Sequence, residues 1–461
     1  MKNKRQFNRK QQKIFLQVFF HPMLYYFLKI VVGISTRIFY CSPLILNRAH
    51  VPQDEPLIIA SNHPNALCDP CSIAVFAKQQ IHFLARGDVF QNKILYWIFV
   101  KQLGMVPIYR LSEGAENLHK NEETFRISTE NLKQKKTILM FSEGICVQER
   151  RLRKLKKGTA RIAFASEEST GWNLGLKIIP VGLNYTDPKK FRSTLVINYG
   201  KSFEVSMFKE SYLKDKAIAI NEFTKYLEER LAEMVVHITD PRNDLLVAQT
   251  EEILQNESEN EKGKEYKFRL TERIVKDVND FSDKQPSEFF ALCEKAKKYF
   301  SILEQCKIKD NTVKKITASE SSISNLISYI LLLLVGFPFH FFGLINNYLP
   351  YKAGYKMAKR IVKQTEFHAS VHMYSSMTLY LIFYPLQILA VALIFRNWWV
   401  LGAYLILLPL SGLFSLKYYT FLKKTFWQWR FFFLKNNKRE EIISIRNEIV
   451  NEIKLTLKLE T

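Results

Sequence analysis

Pro56-Leu-Ile-Ile-Ala-Ser-Asn-His63-Pro-Asn-Ala-Leu-Cys-Asp69-Pro70 is the stretch on which the reading of this chain turns. An apolar run suited to a buried strand meets a short polar step, and Asp69-Pro70 reads as a helix start with aspartate as its cap. The step carries one imidazole and one carboxylate. An imidazole takes a proton from a hydroxyl near pH 7, and a nearby carboxylate fixes its tautomer and stabilises the resulting cation. An ideal helix would point these two side chains apart, so they meet only if the chain turns at Pro64-Asn65 before the helix begins. Asp69 as a plain cap is the competing reading.

Outward from this stretch, residues 50–203 alternate short β-like runs with longer helical ones. The runs are Leu57–Ala60, Ile81–Ala85, Thr137–Phe141, Ile178–Asn184 and Thr194–Tyr199. Such alternation predicts an α/β domain, here 47–205, with functional groups at strand ends. Residues 1–46 form a basic lead-in and an aromatic, apolar helix. Lys29 and Arg37 suit that helix to an interface better than to a full span. Residues 206–320 read as a charged helical insert, with Phe223, Leu227, Leu231, Met234 and Ile238 at helical spacing and a restart at Asp240-Pro241. A further helix is predicted from Ser287 to about Cys306.

Residues 321–420 read as a membrane region. Segments 377–395 and 398–416 each match a hydrocarbon layer of ~30 Å and are joined by Arg396-Asn397, the pattern of a tight hairpin. Segment 323–349 is interrupted by Gly336-Phe-Pro338 and has Lys and Arg on both flanks. If those flanks stay cytoplasmic, the segment is bent or re-entrant; three full spans is the rival arrangement. Residues 421–461 read as a basic amphipathic tail.

The chain has 461 residues and a formal charge of +23, with 67 Lys and Arg against 44 Asp and Glu. That excess asks for an anionic partner. Apolar segments rich in the 35 Phe and 21 Tyr, flanked by cations, favour a lipid bilayer over nucleic acid. The six cysteines lack the spacing of a zinc site and suit a reducing, cytoplasm-facing compartment. The basic start is followed by an apolar stretch broken by Lys29 and Arg37, unlike a cleavable signal peptide.

Four further segments carry groups that could complete a site around this pair. Gly104-Met-Val-Pro-Ile-Tyr-Arg110 ends an apolar run in a guanidinium, which holds a phosphate by paired hydrogen bonds when it lies at a domain mouth. Taken alone, Arg110 reads as an ordinary surface arginine. Thr137 to Phe141 runs into Ser142-Glu143-Gly144, where a carboxylate can accept from a polyol and the glycine admits close approach. The cations from Arg150 to Lys157 are either a solvated face or an anion-recruiting one. Ile178-Ile179-Pro180-Val-Gly182 suits a wall beside an acyl chain.

In order and spacing these segments resemble the glycerolipid acyltransferases, the group of glycerol-3-phosphate and 1-acylglycerol-3-phosphate acyltransferases. Asn62-His63 through Asp69 is similar to that family's first motif, Gly104–Arg110 to its second, Phe141–Gly144 to its third and Ile179-Pro180 to its fourth. The resemblance covers roughly residues 45–205 and implies a mixed central sheet flanked by helices. The five residues between His63 and Asp69, where four are commoner, resemble a subgroup that includes glycerol-3-phosphate/dihydroxyacetone-phosphate acyltransferases. Ser142 stands where the third motif usually carries proline.

The resemblance implies His63 as general base and Asp69 as its orienting partner. It places Arg110, Glu143, Gly144 and Lys157 on the acceptor side, and Ile179 and Pro180 on the acyl side. The implied partners are a bilayer, a glycerol phosphate-type acceptor and an acyl thioester on coenzyme A or an acidic acyl carrier protein, with no metal, no bound cofactor and no nucleic acid. The expected location is a membrane, the inner one in a bacterium, with the catalytic domain cytoplasmic. Acylation of a lysophospholipid or other alcohol is a nearer alternative, and a non-enzymatic lipid-binding scaffold a more distant one. A serine hydrolase is disfavoured, because no Gly-x-Ser-x-Gly occurs in the chain.

Overall fold

A computed structural model describes residues 23–87, 93–97, 100, 103–108, 120–258, 263–317 and 323–456. The chain divides into two compact units, one of residues 1–235 with 358–373 and the other of 236–357 with 374–461.

The first unit is built on a sheet with strands β1 (Leu44–Leu46), β2 (Leu57–Ser61), β3 (Ile81–Arg86), β4 (Val106–Ile108), β5 (Thr137–Phe141), β6 (Lys177–Tyr185), β7 (Leu195–Tyr199) and β8 (Phe203–Glu204). Their order is β1-β7-β6-β2-β5-β3-β4, with β8 also on β6; β7 and β8 run antiparallel to β6 and the other pairs are parallel. The five predicted strands are present. The short strands β1, β4 and β8 escaped prediction because two or three residues carry no measurable period.

Helix α1 covers residues 23–39, followed by α2 (Cys68–Phe76), α3 (Lys93–Tyr96), α4 (Lys120–Lys133), α5 (Gly158–Glu168), α6 (Lys209–Lys214) and α7 (Lys216–Ala232). Strand β2 is buried at every position, as expected of a parallel strand covered on both faces. Ile58, Ile138 and Ile178 from three strands join Ile162 and Phe164 of α5 and Phe223, Leu227 and Leu231 of α7 in one core. Helix α7 therefore belongs to the first unit rather than to a separate insert from 206. Its i, i+4, i+8 face has no exposed surface to offer elsewhere, with Phe223 edge-on to Phe164 at 5.5 Å.

In α1, both cations turn toward the protein. Lys29 Nζ donates to the Ala77 carbonyl at 2.7 Å, and the Arg37 guanidinium lies 5.0 Å from the Phe76 ring centroid. Met23, Tyr26, Phe27, Ile30, Ile34 and Ile38 form an exposed stripe on its outer face.

The second unit holds α8 (Asp244–Glu257), α9 (Lys264–Lys284), α10 (Pro286–Gln305), α11 (Asp310–Thr317) and α15 (Asn436–Thr456), and all of these but α9 meet in one charge cluster. Arg446 Nε donates to Asp310 Oδ1 at 2.8 Å and Nη1 to Glu257 Oε1 at 2.8 Å, while Tyr299 donates to Asp310 at 2.6 Å. The expected C-terminal tail is thus an integral helix. Its Ile442, Ile449, Val450 and Ile453 are buried, and its arginine satisfies acids that would otherwise be stranded.

Helices α12 (Ile323–Ile361), α13 (His368–Phe395) and α14 (Trp398–Phe432) are each long and apolar enough to cross a membrane. Helix α12 continues through Pro338 and Pro350, so segment 323–349 does not turn back at Pro338. Proline deprives the carbonyl four residues earlier of its N–H. For Pro350 that carbonyl belongs to Asn346, and Gln387 Nε2 donates to it instead at 3.1 Å. Tyr384 and Tyr404 donate to Asn347 Oδ1 and Asn346 Oδ1 at 2.7 Å each. Along α12, Asn347 meets Leu408 while His340 meets Ser415 and Leu333 meets Tyr418. Helix α14 therefore runs antiparallel to α12. Helix α13 does the same, from Gly354 beside Ser376 to Asn346 beside Gln387.

Candidate active site

The site forms where β2 ends. Beyond Ser61, Asn62 prolongs the sheet with its side chain: Nδ2 donates to the Leu183 carbonyl at 3.0 Å and Oδ1 accepts the Leu183 N–H at 2.8 Å. This two-point clamp fixes the direction in which the next residue leaves the sheet. The His63 N–H then donates to Glu143 Oε2 at 2.8 Å, and its carbonyl accepts from the Val147 N–H at 3.1 Å. The chain turns through Pro64-Asn65-Ala66, with Ala66 at φ 33°, before α2 begins at Cys68.

That turn brings the imidazole and carboxylate together. His63 Nδ1 lies 2.8 Å from Asp69 Oδ2, and the ring stacks on Phe141 at 3.8 Å between centroids and 11° between planes. Asp69 is fully buried in the first turn of α2, while the cap position is Leu67, so Asp69 is not the helix cap. Its carboxylate instead gathers donors: the Asn65 N–H reaches Oδ2 at 2.6 Å and the Tyr185 hydroxyl reaches Oδ1 at 2.7 Å. With Nδ1 engaged, Nε2 is the ring nitrogen left for a substrate, and no partner binds it among the described residues.

Glu143 plays a different part from the one expected. Oε2 accepts from His63 and Oε1 accepts the Arg153 N–H at 2.8 Å, so its buried carboxylate braces two loops where acceptor hydroxyls were anticipated. Burial pushes this carboxyl up from its ordinary range, and the bonds from Arg153 and His63 oppose that push. Gly144 sits at φ 70°, with room for a Cβ limited by Lys156 at 3.0 Å, and its N–H closes a turn onto the Phe141 carbonyl at 3.0 Å. That amide is therefore engaged and is no oxyanion donor in this conformation. The serine in place of proline has its own use, since the Ser142 N–H bonds the Ser61 carbonyl at 3.1 Å and extends the β2–β5 ladder. A proline could not.

The cationic run is a pinned surface rather than a loose one. Leu155 is buried and its N–H donates to Glu228 Oε2 at 3.0 Å, which leaves Lys154, Lys156 and Lys157 exposed around it. Lys157 occupies the cap position of α5 without a capping bond. Ile179 and Pro180 lie in the central strand opposite Ile59 and Ala60, enclosed by the sheet, so they are core residues and not an open acyl-facing wall. Arg110 lies outside the described residues. His63, Asp69, Glu143 and Gly144 are thus brought together. Among the described residues no group of three or more His, Cys, Asp or Glu is arranged to hold a metal ion.

Sequence reasoning missed Asn62 as a clamp, Phe141 as the stacking floor and Tyr185 as a donor to Asp69. It also missed Ser370, whose Oγ accepts the Cys68 N–H at 3.2 Å beside Asp69. Local spacing carries no signal for partners 116 or 302 residues away.

Residues 44–184 match the protein-family model described as Acyltransferase. No curated protein was found to match the chain. Among solved structures, the chain is similar to the 1-acyl-sn-glycerophosphate acyltransferase PlsC from Thermotoga maritima, with a TM-score of 0.33 and 19% identity over 45% of this chain and 78% of that one.

Proposed function

We propose, from the match of residues 44–184 to the family model described as Acyltransferase, that this protein is an enzyme that moves a fatty acyl group from a thioester to a hydroxyl of a glycerol phosphate-type acceptor at a membrane. The observation that carries this reading is the 2.8 Å contact between His63 Nδ1 and a carboxylate already held by two other donors. It commits the imidazole to the tautomer whose Nε2 is unprotonated and able to take a proton.

In the proposed step the acceptor oxygen attacks the thioester carbonyl while its proton passes to Nε2. Collapse of the tetrahedral intermediate breaks the C–S bond, and the leaving thiolate recovers the proton from the imidazolium. Asp69 stabilises that imidazolium. Both substrates meet directly, so no acyl-enzyme is needed, and the thioester itself supplies the activation. Arg110 and Lys157 are assigned to the acceptor's phosphate on the motif resemblance, since a guanidinium and an ammonium together would suit a dianion. Coenzyme A and an acidic carrier protein are the two donors to compare, the second favoured by the exposed lysines around Leu155.

A membrane setting is supported by the outward apolar stripe of α1 and by the three long apolar helices. The exposed Trp398 and Trp399 next to Arg396 suit one interface, and the cations from Lys352 to Lys363 suit the other, cytoplasmic in this reading. The test is a reconstituted assay offering glycerol 3-phosphate, dihydroxyacetone phosphate and lysophosphatidate separately, each with acyl-coenzyme A or acyl carrier protein. His63→Ala should lower the preferred reaction by at least ~10³-fold with donor affinity little changed. Near-normal transfer by that variant would overturn the assignment.

A further inference from the structure

We propose that Tyr185, just past the family-matched segment, is a positioning residue that sets how strongly Asp69 holds the His63 imidazolium. This rests on the reading of His63 as general base. Tyr185 ends β6, the strand beside β2, and its hydroxyl donates to Asp69 Oδ1 at 2.7 Å, on the oxygen that His63 does not use. The two oxygens are thereby given different tasks. Oδ2 faces the imidazole and the Asn65 amide, and Oδ1 is anchored from the sheet.

Two physical effects follow. An anchored carboxylate cannot rotate about its own axis, so the lone pair on Oδ2 stays aimed at Nδ1. A donor on Oδ1 also draws negative charge toward itself, so less is available to the imidazolium. Tyr185 thus trades a little cation stabilisation for geometry.

The surroundings permit this role. Tyr185 is buried and its ring lies edge-on to Tyr40, 5.2 Å between centroids, while the Tyr40 hydroxyl accepts from Asn65 Nδ2 at 2.7 Å. Burial, followed by the Asp69 charge, drives the Tyr185 hydroxyl well above its usual range, so it remains a donor at every working pH. The other titratable groups facing the pair are Tyr40 just after α1, Cys68 from α2, Glu143 and Cys146 after β5, and Glu366 near Cys146. Burial pushes the Cys68 thiol up to about 12, and raises Tyr40 and Cys146 as well, so none of these three titrates near neutral pH. Glu143 and Glu366 are the remaining neighbours; the two backbone bonds of Glu143 are untouched by a change at 185, and Glu366 acts on Cys146.

The test is the pH profile of kcat/KM for Tyr185→Phe in the full-length protein, with His63→Ala run alongside. Loss of the hydroxyl should lower the plateau by about tenfold, the scale of one hydrogen bond to a charged group, and move the acid limb to higher pH. Site-specific 3-fluorotyrosine at 185 keeps the shape and strengthens the donor, so its limb should move to lower pH; this variant decides the matter if the phenylalanine one does not fold. Limbs that stay at the wild-type position in the folded variants, whatever the plateau does, would overturn the inference while leaving His63 as base. Retained activity in His63→Ala would instead remove the reading beneath it.

Discussion

Replacing Asp69 by asparagine removes one charge and almost no volume. In the structure the His63 Nδ1–H and the Asn65 N–H both point at Oδ2, and the Tyr185 hydroxyl points at Oδ1. A hydroxyl can also accept, so the new amide turns its NH2 toward Tyr185 and keeps its oxygen for the imidazole. The tautomer survives, and the loss is confined to the charge. With a 2.8 Å contact the two charge centres lie about 4 Å apart, and at an effective dielectric constant near 20 their attraction is ~4 kcal/mol. If the imidazolium is fully formed in the transition state, that is about three powers of ten in rate. A site without Tyr185 would flip the tautomer and lose ~10⁴. The assay is initial-rate thiol release from an acyl thioester by protein in lipid nanodiscs, with the thermal midpoint measured in parallel. A folded variant that loses less than tenfold would refute the claim that Asp69 stabilises the cation.

Two further outcomes are expected from the fold. A Cβ at Gly182 would lie 2.0 Å from the Met234 carbonyl, which also accepts from Asn184, so Gly182→Ala must displace the chain after α7. Overpacking of ~2 kcal/mol or more should lower the thermal midpoint by about 5 °C, and an unchanged midpoint would count against the packing described. For Glu257, burial raises the carboxyl but the bonds from Arg446 and Lys314 outweigh it and hold it below the usual range. A depressed carboxyl contributes stability above its unfolded value of ~4.3 and loses it as pH falls through the folded one. Glu257→Gln should therefore flatten the fall in thermal midpoint below about pH 5, and an equal slope in both proteins would contradict the pairing.

Much of the architecture is legible in local pattern. Leu57–Ser61 and Thr137–Phe141 announce themselves as buried strands because a parallel strand covered on both faces must be apolar throughout. The three long apolar helices are legible for the same reason, since hydrocarbon tolerates few charges. Helix α7 was misassigned because its stripe shows that a partner exists without saying which one. Segment 323–349 was misread at Pro338, because a proline read in the chain alone looks like a break, whereas the helix continues through both Pro338 and Pro350, and at Pro350 a neighbouring helix supplies the donor that proline removes.

The order of residues along the chain determined that an imidazole and a carboxylate share one short step, since a turn can be built from Pro64 and Asn65 with no help from elsewhere. Sheet order decided the rest: β2 lies between β5 and β6, so Phe141 and Glu143 arrive on one side of His63 and Leu183 and Tyr185 on the other. A residue's neighbours in sequence set what it can do, but strand adjacency, which the packing of the whole core selects, sets what it touches.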